Sequence, residues 1–167
     1  LTVLQFTVLA LWLMSYTEGN ISNARATLES SSETAIHYLV NILRFPQTEE
    51  LSSLHDMNVK CLWSFCMDSL NCRVAVECGA VDALRHVQVE KMVAASGLIQ
   101  VLLRDPEAFE SVTQKAGENI LEDMMLFMVS SKIAELESYG SLSCARTAMK
   151  ERGRRFIYES NGVELLL

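Results

Sequence analysis

Asn71-Cys72-Arg73-Val74-Ala75-Val76-Glu77-Cys78-Gly79-Ala80-Val81-Asp82-Ala83-Leu84 holds a short helix, a glycine break and a new helix start within fourteen residues. The ending, Gly79-Ala80-Val81-x-x-Leu84, returns as Gly162-Val163-x-Leu165-Leu166, 83 residues further on. That distance is close to two periods of the roughly 40–47 residues occupied by repeats of two or three helices. The stretch therefore reads as one unit of a helical repeat array. Such arrays work by presenting a surface, so function must be sought in side chains that face outward.

A second self-match lies on either side of it. At an offset of 51 residues, Val8 falls on Val59, Ala10 on Cys61, Leu11 on Leu62, Trp12 on Trp63 and Asn20 on Asn71. The segment 1–17 has no proline or glycine and is apolar nearly all round, which suits an inner helix packed between two layers. Its later copy is expected from Glu49 to about Asp68, capped by Thr48, with Leu51, Leu54, Cys61, Leu62 and Phe65 on the buried side. An offset of 51 exceeds the usual period by roughly 4–11 residues, an excess assigned to the polar linker 46–53.

Between the copies, Gly19-Asn20 breaks the chain, and Ser30-x-x-Glu33 has the spacing of a capping box. Ile36, Leu39, Val40 and Leu43 follow as an amphipathic stripe ended by Pro46. Beyond Leu84, a helix is expected over Val81–Ala95, a break at Ser96-Gly97 and a helical run over Leu98–Leu103. Asp105-Pro106 has the cap and first-turn chemistry of a new helix. Gly117 precedes a helix over Glu118–Ser138. Gly140-Ser141 is read as a break before a helix from about Leu142 to Glu159, with Gly153 as a second interruption. No stretch alternates with period two, so the fold class is all-α. The approximate repeats are 1–45, 46–104 and 105–167 of what reads as a segment of a longer array.

Half of the residues are hydrophobic and 21% are charged, too apolar for disorder and too evenly interrupted by charge for a membrane bundle. The run from Leu1 to Met14 invites a competing reading as a targeting or anchoring helix. Against it, no basic residue precedes the run, Gln5 interrupts it, and it falls short of the ~20 residues that span a bilayer. The five cysteines, Cys61, Cys66, Cys72, Cys78 and Cys144, are odd in number and fall mostly in helices. They read as reduced thiols of an intracellular protein, in the cytoplasm or nucleus. A net charge of −7 argues against nucleic acid and anionic lipid as partners.

Chemical motifs are scarce. Cys61, Cys66, Cys72 and Cys78, with His55 and His86 nearby, have metal-ligand residue types at intervals of five, six and six, whereas a structural zinc site pairs ligands two to four residues apart. No metal or cofactor is expected. No nucleophile motif, phosphate loop or calcium loop is present, so catalysis is not expected either. The run Met124–Met128 reads as core. Arg146, Lys150, Arg152, Arg154 and Arg155 form the one marked charge feature, read equally as a solvated helix face or as a docking patch for an acidic partner. Trp12 and Trp63 recur at equivalent positions. They are either packing residues between stacked layers or the walls of a groove, where a flat amphipathic ring holds a peptide.

Gly79-Ala80-Val81-Asp82-Ala83-Leu84 resembles the start of the second helix of an armadillo repeat. More narrowly, Leu4-Gln5-Phe6-Thr7-Val8-Leu9-Ala10-Leu11-Trp12 is similar to the inner helix of the armadillo-like region in the zyg-11 and zer-1 family. Arg155-Phe156-Ile157-Tyr158-Glu159-Ser160-Asn161-Gly162-Val163-Glu164-Leu165 resembles the short-helix and glycine segment that follows it there. The resemblance implies an armadillo-like right-handed solenoid, and substrate recognition for a cullin-RING ubiquitin ligase through a groove that reads small N-terminal residues. The family's inner helix follows tryptophan with asparagine and places an aspartate four residues after it. This chain has Leu13 and Tyr16 there, then Ser64 and Met67 after Trp63, with Asp68 one place late. The resemblance thus carries over the two tryptophans, with Asp68 as the carboxylate nearest the family position, as peptide-binding residues.

Overall fold

The structure is a computed structural model that describes residues 2–16, 34–46, 48–85, 93–105, 107, 108, 110, 131–159 and 164. Among these every regular element is helical. The elements are α1 (Thr2–Met14), α2 (Ala35–Leu43), α3 (Glu49–Phe65), α4 (Ser69–Glu77), α5 (Ala80–Arg85), α6 (Val93–Leu102), α7 (Ala134–Ala148) and α8 (Glu151–Glu159).

Local sequence sets most of the boundaries. Thr34 caps α2, its hydroxyl accepting from the His37 amide while His37 Nδ1 accepts from the Thr34 amide at 3.1 Å. This is a capping box with histidine as the reciprocal acceptor; Ser30 and Glu33 lie outside the described residues. Asp68 caps α4 by accepting from the Asn71 amide at 3.0 Å. Asp105 accepts from the amides of Glu107 and Ala108 at 3.0 and 2.9 Å, the expected cap. Thr48 is the extended N-cap residue of α3, but its side chain makes no cap bond. Gly79 turns the chain between α4 and α5 at φ +83°, a conformation that a side chain would strain.

Helix ends share a second device. The Arg44 guanidinium donates to the Cys78 carbonyl at the end of α4, Arg104 to the Met67 carbonyl just past α3, Arg146 to the Gln100 carbonyl in the last turn of α6, and Arg154 to the Ala148 carbonyl ending α7. Each supplies a donor to a carbonyl without a helical partner and a positive charge to the negative end of a helix.

Packing follows a regular order. Helix α1 packs on α3, α3 on α6 and α6 on α7, so these four form a row, with α2, α4 and α5 on one flank and α8 against α7. The core runs through Ile36, Leu39, Leu43, Leu54, Leu62, Leu84, Leu98 and Leu102, each almost fully buried and each contributing about 1.5–3 kcal/mol. The Asn58 side-chain amide donates 2.8 Å to the Leu39 carbonyl and fixes the register of α3 on α2. The stripe Ile36, Leu39, Val40, Leu43 and the buried side of α3 lie inward as their spacing requires. The outer face of α1 differs from expectation. Val8 is fully buried, yet Val3, Phe6 and Leu13 are 80, 66 and 59% exposed, so among the described residues this helix is covered on one side.

Three boundaries read from glycine and serine are corrected. Ser96-Gly97 is no break: α6 runs through it, because Gly97 is a seat for the Trp63 ring. Gly140-Ser141 lies inside α7, and the chain instead breaks at Met149-Lys150, where the bonding shortens to Met149 N–H to Arg146 and Lys150 N–H to Thr147. Gly153 lies within α8, where a Cβ would sit 1.9 Å from the Thr147 carbonyl. The helix expected to end at Ser138 is also displaced, since residues 131–133 are not helical and α7 starts at Ala134. The remainder of that segment, with the run Met124–Met128, lies outside the described residues. No described helix is long and apolar enough to cross a membrane.

Candidate functional site

The two tryptophans come together. Trp12 in the last turn of α1 and Trp63 in the last turn of α3 line one open cleft of about 400 Å³, with Tyr16, Lys60, Ser64 and Met67 completing the described lining. Their helical spacing explains the set. Residues three and four apart share a helix face, so Tyr16 lies beside Trp12, and Lys60 and Met67 lie on either side of Trp63. The pairing of α1 with α3 then sets the faces against each other.

The two rings are held differently. Trp63 lies on Gly97 of α6 so closely that a Cβ there would come within 2.7 Å of the indole. It also meets Tyr139 of α7, centroids 5.9 Å apart at 86°, a T-shaped pair worth about 0.5–1.5 kcal/mol. Trp12 has Tyr16 at 6.2 Å and 42°. Both indoles are part-buried and line the cleft.

The polar groups are few. Lys60 is bonded to Asp56 at 2.6 Å, an i,i+4 pair with both side chains 40–45% exposed, worth about 0.3–0.5 kcal/mol. Asp68 is not in the lining and gives its carboxylate to the cap of α4. The Met67 carbonyl is taken by Arg104 at 2.8 Å and the Trp12 carbonyl by the Ser15 hydroxyl at 2.6 Å.

The basic segment does not converge on one patch. Arg146 reaches into α6, Lys150 sits 4.0 Å from Glu110, Arg154 folds back onto the end of α7 and Arg155 is exposed. The Arg152 side chain is outside the described set. Burial, and then the charge of Arg104, pull the Arg146 pKa down.

Among the described residues no three His, Cys, Asp or Glu side chains converge as metal ligands; His86 lies outside them. All five cysteines are free, four of them buried. Burial pushes the Cys61 thiol up to about 12 and raises Cys144 as well. Cys66 and Cys72 share a proton-bonding contact that raises the first and lowers the second, with Arg104 assisting the second. Neither is exposed to a reactant.

Sequence reasoning singled out Trp12 and Trp63 and missed Tyr16, Lys60, Ser64, Met67 and the supporting Gly97 and Tyr139. Tyr16, Lys60 and Met67 stand three or four positions from a tryptophan and Ser64 beside one, but which neighbours face the cleft follows only from the packing of α1 on α3. Gly97 and Tyr139 lie 34 and 76 residues from Trp63 and carry no local signal. No family model, curated protein or solved structure matches the chain.

Proposed function

We propose that this chain is an armadillo-like helical repeat segment that holds a peptide of a partner protein in the cleft between Trp12 and Trp63 and performs no chemistry itself. One observation carries the reading: two tryptophans 51 residues apart in sequence, equivalent by internal repeat, line the same open cleft. Large, part-buried aromatic rings are the anchors typical of protein contact surfaces. The row α1, α3, α6, α7, with the shorter α2, α4 and α5 on one flank, supports the repeat architecture. A substrate receptor of a cullin-RING ubiquitin ligase is the sharpest form of this reading, and a scaffold without an enzyme partner the plainer one. Five free thiols agree with an intracellular setting.

The test is a binding screen of the chain against peptides varied at a free N-terminus, with acetylated copies. Saturable binding lost in Trp12→Ala and Trp63→Ala, with helix content unchanged, supports the cleft; loss on acetylation would add the terminus-reading form. Binding that ignores both substitutions would place the partner elsewhere.

A further inference from the structure

The cleft carries more than apolar walls. Among the described residues, Lys60 brings the sole formal charge to its lining. A free N-terminal amine would need a carboxylate or open carbonyls there. Asp56 lies outside the lining and is bound to Lys60, Asp68 is turned to the cap of α4, and the Trp12 and Met67 carbonyls already accept from Ser15 and Arg104. Arg104 also sets a guanidinium at the Met67 end, and Arg146 donates to the Gln100 carbonyl in the last turn of α6. Among the described residues neither arginine has a carboxylate within ion-pair distance. Helix C-termini contribute roughly half a negative charge each, which these full positive charges outweigh. The Lys60–Asp56 pair is exposed and weak enough to exchange for a carboxylate brought into the cleft.

Resting on the groove reading above, we propose that the cleft takes an internal acidic peptide segment. A large apolar side chain lies between Trp12 and Trp63, and a neighbouring aspartate or glutamate carboxylate pairs with Lys60. The cleft is open, so a chain can pass through without presenting a terminus. Nucleic acid also combines stacking with negative charge, but a polyanion meets the repulsion of a chain of net charge −7. A single carboxylate seated beside Lys60 interacts mainly within a Debye length of about 8 Å.

Titration of the chain by fluorescence anisotropy with labelled peptides, acetylated and amidated at their ends, tests this. One series carries leucine or phenylalanine next to aspartate; its partners replace the aspartate with asparagine or lysine. A neutral peptide with a free amine and a thymidine oligonucleotide complete the set. The expected result is tighter binding of the aspartate peptide than of its asparagine copy by roughly two- to fivefold at low salt, shrinking as salt rises. Lys60→Gln should erase that ratio, and Lys60→Glu should turn the preference toward lysine. Equal binding of the acid and amide peptides, or preference for the free amine, overturns the proposal and leaves the groove reading standing. Failure of every peptide, or binding of the oligonucleotide alone, overturns both.

Discussion

At the scale of single residues, the contact of Gly97 with Trp63 decides how the cleft is built. Alanine is the better helix former by about 1 kcal/mol, but its Cβ would meet the indole at 2.7 Å. Overpacking of this kind costs about 1–3 kcal/mol. Gly97→Ala should therefore destabilise the chain by on the order of 1 kcal/mol, seen as a lower urea midpoint. In a Trp63→Ala background the same change should be neutral or stabilising; an equal loss in both backgrounds would refute the contact. His55 is a second telling residue. It is fully buried, and burial lowers its pKa below 6.5, against a smaller opposing effect of the Pro46 backbone. Well above pH 6.5 the histidine is neutral folded or unfolded and contributes no pH dependence. As pH falls below 6.5 the unfolded chain takes up a proton that the folded chain resists, so stability declines. Urea midpoints should fall between pH 6.5 and 5, and His55→Gln should flatten that slope.

At the scale of elements, caps and closures were legible where a side chain acts on its own neighbourhood, as Asp105 does. Its carboxylate also receives Arg73 Nε at 3.2 Å, tying α4 to the turn after α6, and that arginine reaches Glu107 at 2.5 Å as well. The two amides and Arg73 outweigh burial and hold the Asp105 carboxyl below its ordinary range. Asp105→Ala should cost about 1–2 kcal/mol, whereas Asp105→Asn, which keeps the cap, should cost less; urea denaturation of the pair separates them. The breaks read at Ser96-Gly97, Gly140-Ser141 and Gly153 failed for a shared reason. A glycine can mark a turn or simply a place where another group comes close, and the sequence does not distinguish these. At Gly97 the neighbour is a ring 34 residues away, and at Gly153 it is the Thr147 carbonyl across the bend between α7 and α8. The true break at Met149-Lys150 contains neither glycine nor proline.

At the scale of the molecule, the all-helical class and the pairing of Trp12 with Trp63 were accessible because both are written as periodicity, one within a helix and one between repeats. The charge of the cleft was not. Asp68 looked available from its position beside Trp63, but the start of α4 claims it, and Lys60 emerged only once α1 was seen against α3. The row α1, α3, α6, α7 places the Trp63 ring over α6 and against α7, so a ligand in the cleft touches a side chain buttressed by two helices besides its own. Loss of the buttress should propagate. Tyr139→Ala should weaken peptide binding by a few-fold, on the scale of the roughly 0.5–1.5 kcal/mol of the ring pair, although Tyr139 does not line the cleft; isothermal calorimetry would measure it. The central claim, that the cleft is where a partner peptide lies, has an internal reporter, because Trp12 and Trp63 are both of the chain's tryptophans. Tryptophan emission followed during titration with a peptide of calorimetrically established affinity is the direct measurement. A saturable shift with the calorimetric midpoint is the predicted result, and saturable binding that leaves the emission unchanged would contradict the account.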